Sequence, residues 1–174
     1  MQRLVWLLVL GLGLGLGCER KRGEIHGVGD YVIGETMLKQ SGGVCQPHRA
    51  QTWCTGLSNL KIGEQSASAD LYFGGHEPGS TLVEILLGIR RCNVASARSA
   101  LEHQLGKPDE VLDKRVVWTF KKTVIVARLP VDNSPTDCEV SFVHPGETRT
   151  IEYLKTGVMP PKEGAAPAGK SKAE

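Results

Sequence analysis

Asn93-Val94-Ala95-Ser96-Ala97-Arg98-Ser99-Ala100-Leu101-Glu102-His103-Gln104-Leu105-Gly106-Lys107-Pro108 is the stretch on which the fold turns. Ala97, Leu101 and Leu105 recur at helical spacing with Ala100 beside them, so they form one apolar stripe. Asn93 or Ser96 can accept a hydrogen bond from an orphan N–H at the start, and Gly106 followed by Pro108 ends the helix. Residues 93–105 are therefore expected as an amphipathic helix, which needs a sheet to cover its stripe.

The strands lie on both sides of it. Downstream, Val116, Trp118 and Phe120 alternate onto one face, and Ile125, Ala127 and Leu129 answer them across a turn at Lys121-Lys122. Residues 130–137 carry two prolines and Asp132-Asn133-Ser134, a loop composition. Cys138, Val140 and Phe142 then alternate as a third strand, and Ile151 and Tyr153 predict a closing strand over 150–154. Such local connections favour an antiparallel meander.

Upstream, a short helix is expected around 35–40, stopped by Ser41-Gly42-Gly43. Pro47 argues against a regular element before Arg49, and a second short helix is expected over 50–57. Residues 69–73 read as a strand. Residues 81–91 are ambiguous: Thr81 and Glu84 would make a capping box, yet Val83, Ile85, Leu87 and Ile89 alternate. The β-branched content and Gly88 favour strand. The fold class is thus α+β, an antiparallel sheet packed against one or two short helices, and the pattern admits two degenerate helix-plus-sheet repeats.

The N-terminus sets the expected compartment. Arg3 precedes an apolar run, Leu4 to Leu16, which is shorter than the roughly 20 residues a membrane span needs. It ends in Leu14-Gly15-Leu16-Gly17-Cys18, which looks like a bacterial lipoprotein cleavage site with lipidation at Cys18. The alternative is a plain secretory signal cut near Gly17. The Gly-Leu repeat lacks the preceding strand and following helix of a phosphate loop. Expected boundaries are 1–17 for the signal, 18–30 for a lipidated flexible tether, 31–154 for one α+β domain and 155–174 for a disordered tail. The expected attachment is to the periplasmic side of a membrane, the outer in preference to the inner.

Without residues 1–17 the chain has 20 basic and 19 acidic residues, which gives no electrostatic reason for a nucleic-acid partner. Cys45, Cys54, Cys92 and Cys138 remain beside Cys18, and an even number in an oxidising compartment argues for disulfides. Cys45–Cys54 would staple a short polar loop, and Cys92–Cys138 would join the helix start to the third strand. Crossed pairings stay open. The Cys45, His48, Cys54 spacing is not that of a zinc site, and no cofactor is implied. None of the five histidines has a nucleophile or carboxylate at a spacing that implies a shared site, so no catalytic residue is expected. Trp53 and Trp118 are expected as core anchors.

The order of helix, Leu105-Gly106-Lys107-Pro108, Trp118 and further strands resembles the small lipoproteins of the outer-membrane β-barrel assembly machinery, the SmpA/OmlA type. The resemblance covers 93–154. It implies the β-lactamase-inhibitor-protein architecture, in which a helix-plus-sheet unit occurs twice, with residues 33–89 as a degenerate first copy. The function expected is a non-enzymatic binding or structural module of the cell envelope with an envelope protein partner. The alternatives are an inhibitor that blocks an enzyme through an exposed sheet face and, third, an enzyme whose site is assembled from distant residues.

Overall fold

The computed structural model describes residues 23–130 and 137–160. A two-residue hairpin, β1 (Gly27–Val28) and β2 (Tyr31–Val32), opens the chain, followed by a single 3-10 turn at Leu38–Gln40. Four strands follow: β3 (Val44–His48), β4 (Gln51–Ile62), β5 (Gln65–Phe73) and β6 (Leu82–Ile89). Helix α1 (Val94–Leu105) leads into β7 (Glu110–Leu112), β8 (Arg115–Thr119), β9 (Val124–Arg128) and β10 (Cys138–Val143), and α2 (Thr148–Thr156) comes last. Among the described residues no helix is long and apolar enough to cross a membrane.

The eight later strands form one antiparallel sheet in the order β3-β4-β5-β6-β10-β9-β8-β7. It is two four-stranded meanders joined where β6 pairs with β10, with Ile85 opposite Phe142, Leu87 opposite Val140 and Ile89 opposite Cys138. Each meander follows a helical element, the Leu38–Gln40 turn in the first and α1 in the second. The α+β class holds.

Tight turns set the registers. In four hairpins the first of two connecting residues has positive φ: Gly29 (57°), Arg49 (56°), Gly63 (59°) and Asp113 (48°). That sign matches the twist of the flanking strands. Gly63 has a second role, because a Cβ there would lie 2.9 Å from the Ala100 Cβ of α1.

The main core lies on one face of the sheet. Leu71, Phe73, Ile85, Leu87, Trp118, Ile125 and Val140 are almost wholly buried there. Helix α1 inserts Ala97, Leu101 and Leu105 into the same cluster, beside Ile25, Val28 and Tyr31 of the N-terminal segment. Burying each large apolar side chain contributes about 1.5–3 kcal/mol. The helix begins as expected, with Asn93 Oδ1 accepting from Ser96 N at 3.0 Å. Gln65 of β5 holds that cap on both sides: its Oε1 accepts from Asn93 N at 2.7 Å, and its Nε2 donates to Asn93 O at 3.1 Å. Trp118 is the expected anchor, and its Nε1 donates to Gly106 O at 2.8 Å. On the opposite face, Ile151 and Leu154 of α2 cover Val117, Val124 and Val126.

Several expectations are corrected. Residues 51–57 are strand and Ala50 lies in the two-residue turn that Arg49 opens, because Thr52 and Cys54 alternate inward. Pro47 is accommodated because β3 is the edge strand, exposed along its length. The helix around 35–40 is reduced to the turn at Leu38–Gln40. Residues 150–154 belong to α2: Ile151 and Leu154, three apart, share a helical face, and Gly157 at φ 77° ends the helix. The tether gives way to packed chain by Ile25, and ordered helix continues past 154 to Thr156. The ambiguous 81–91 segment settles as strand over Leu82–Ile89, with Arg90 and Arg91 in the following turn, and 131–136 of the expected loop and 161–174 of the expected tail lie outside the described residues.

Both disulfides join the expected partners, Cys45 with Cys54 between the opposed strands β3 and β4, and Cys92 with Cys138. Their sequence separations are 9 and 46 residues. On chain entropy the links limit the denatured state by about 2.7 and 4 kcal/mol. Replacing Cys92 and Cys138 together with alanine should therefore lower the urea midpoint more than replacing Cys45 and Cys54. The reverse order in equilibrium unfolding would show that loop length does not govern their contribution.

Candidate functional site

In the first meander, the sheet face opposite the main core has no helix across it among the described residues. Alternation places Trp53, Tyr72, Glu84 and Val143 there in a cross-strand row, from β4 through β5 and β6 to β10. Asp70, Leu86 and Ser141 form the adjacent row. Trp53, Tyr72 and Leu86 belong to neither buried apolar cluster. Trp53 is thus not the core anchor that the sequence implied. Its indole edge is covered, yet Nε1 has no hydrogen-bond partner.

Glu84 is the chemically distinctive member. It is the one acid in the apolar strand Leu82–Ile89. Burial pushes its carboxyl up to about 7, Glu147 adds to that rise, and a hydrogen bond with Ser141 works against it. Burial also pushes the Tyr72 hydroxyl up to about 12, with Glu84, Asp70 and Glu139 adding to it. A phenol and a carboxyl that titrates near neutrality supply a donor and an acceptor beside the half-buried apolar surface of Trp53 and Leu86. Such a surface can bind.

Beyond Ser141 the same face runs under α2, where Arg115, Arg128 and Glu139 form a third row. Arg128 is forked on Glu139, with Nε–Oε2 at 3.0 Å and an Nη2–Oε1 contact of 2.7 Å. The hydrogen bond to Glu139 raises the Arg128 pKa above its usual value.

The residues singled out from the sequence lie elsewhere. Cys18 is outside the described residues. Cys45–Cys54 ties the edge strand to its neighbour, and Cys92–Cys138 sits at the sheet centre with Cys138 fully buried. His76 bridges Thr52 Oγ1 and Arg49 O, both at 3.1 Å, and fastens one turn to another. His144 Nδ1 accepts from Gly146 N. Among the described residues no group of three or more metal-ligating side chains converges. A helix over 50–57 would keep Trp53 out of any sheet row, so the rows do not follow from the sequence reading. The lone Glu84 within an apolar strand was the available signal.

The native state holds the Glu84 proton that an ordinary glutamate loses near 4.5. Stability associated with that proton is complete below 4.5 and is lost as pH rises through about 7. Glu84→Gln should therefore gain stability over the parent between pH 5 and 8, by on the order of 2 kcal/mol for a partly solvated group. Urea titrations at both pH values check this, and parallel pH dependence in the two proteins would refute it.

No protein family, curated protein or solved structure matches the chain.

Proposed function

We propose that this chain is a lipid-anchored module of the bacterial cell envelope, held at Cys18 to the periplasmic side of the outer membrane. It acts by binding a protein partner rather than by catalysis. The observation that carries the binding role is the half of one sheet face that no helix covers among the described residues, bearing Trp53, Tyr72 and Leu86. The main core is formed on the other face, so the partial exposure of these three is not a general want of packing. The run ending in Leu14-Gly15-Leu16-Gly17-Cys18 supports the anchor, and two disulfides suit an oxidising compartment. Two four-stranded meanders, one behind a single 3-10 turn and one behind α1, are consistent with the twofold helix-plus-sheet arrangement expected from the sequence. Architecture alone does not transfer a role.

Cys18→Ser should move the protein from the membrane to the soluble envelope fraction, since acyl chains contribute about 0.8 kcal/mol per buried CH₂. Fractionation identical to the parent would remove the anchor from the proposal. A photo-crosslinking residue at Tyr72 should give a discrete adduct in cells, while one at Ser99, exposed on α1, should not. Equal adducts at both positions would remove the docking face. The identity of the adduct separates a structural partner from an enzyme held inhibited.

A further inference from the structure

A second site lies under α2. A cavity of about 350 Å³ opens between that helix and strands β8 to β10. Its polar wall is Arg115, Arg128, Glu139, Ser141 and Tyr153, and its apolar floor is Val126 and Leu154. This size is at the lower end of the range for small-molecule sites.

The charges on that wall do not cancel. Arg115 lies directly opposite Arg128, and Arg128 directly opposite Glu139, so the wall holds two guanidinium groups and one carboxylate, while Asp137 outside the wall acts on Arg128. Like charges directly opposed on neighbouring strands are destabilising. Glu139 is committed to Arg128 through two contacts. Arg115 has no ion pair or side-chain hydrogen bond among the described residues, although it is only partly exposed. Room for its guanidinium is kept by Gly157, where a Cβ would lie 2.8 Å from Arg115 Nη2. The lining therefore carries one uncompensated positive charge above an apolar floor.

We infer that this cavity binds the carboxylate of a small, mostly apolar acid, with Arg115 as the ion-pairing residue. Charge balance selects a monoanion: one free guanidinium matches one carboxylate, and a dianionic phosphate would face the Glu139 carboxylate as well. The planar fork of arginine suits a carboxylate in two-point contact. The Tyr153 hydroxyl can donate to the same group, while the acid's apolar body rests on Val126 and Leu154. This site goes beyond the partner-docking face and does not depend on it.

Benzoate is a suitable probe, with benzamide as its neutral counterpart. In a backbone amide NMR titration of the intact folded domain, benzoate should give saturable shifts at Arg115, Ser141 and Tyr153. A Kd on the order of 1 mM fits a ligand of this size. Benzamide and inorganic phosphate should bind at least tenfold more weakly, and Arg115→Gln should weaken benzoate by at least tenfold while the domain stays folded. Arg115→Lys keeps the charge without the fork and should fall between them. A dipeptide with a free C-terminus, compared with its amide, separates the two sources of a carboxylate. Tighter binding of the dipeptide acid than of benzoate assigns the site to a peptide terminus and overturns the small acid. Equal shifts from benzoate and benzamide, equal binding of phosphate, no saturation, or full benzoate binding by a folded Arg115→Gln protein would each overturn the proposal.

Discussion

The pairing of β6 with β10 is the contact on which the rest depends. It joins strands about fifty residues apart in sequence, and it makes one sheet of two meanders that are otherwise built from local hairpins. Its core-facing pairs, Ile85 with Phe142, Leu87 with Val140 and Ile89 with Cys138, are nearly all fully buried. The Cys92–Cys138 link lies at one end of this seam and shortens the closure that it requires. Helix α1 leaves from that same end, and its Leu101 and Leu105 join the cluster that the seam begins.

The two meanders differ in how many faces they bury. Helix α1 lies on the main-core face and reaches β4 of the first meander, whereas α2 covers the opposite face of the second alone, where β9 reads as an unbroken buried run from Val124 to Ala127. In the first, β5 alternates between buried Ala67, Ala69, Leu71 and Phe73 and more exposed neighbours. A sheet covered on both sides becomes one covered on a single side at about the middle of the molecule. The site follows from that asymmetry.

The sequence made legible what short-range physics decides. Residues 93–105 carry a stripe, a cap and a stop that agree, and α1 follows them. Trp118 and the strands around it were readable from alternation, while the pairing of the four cysteines, open in the sequence, is decided by the fold. Two segments misled for identifiable reasons. Arg49 takes positive φ without being Gly, Asn or Asp, so its turn carries no compositional sign. Ile151 and Tyr153 mimic a strand, whereas Ile151 and Leu154 are the pair that packs. Gly157 was the stop signal that favoured the helix. The rows of polar groups were beyond reach, because a row across four strands exists only once the registers are set.

Where coverage changes, the polar groups of the sheet change character. Glu84 lies at the boundary, shielded enough to resist ionisation yet bonded to Ser141, whose side chain also borders the cavity under α2. Farther toward β8, Arg128 and Glu139 neutralise each other beside α2 while both stay partly open to water. Arg115 does not share in that pair and keeps its charge at the cavity wall. A sheet edge facing water would screen such a charge, and a closed core would exclude it. Only a partly covered face holds an uncompensated guanidinium in reach of a ligand, and α2 supplies that partial cover over Val117, Val124 and Val126.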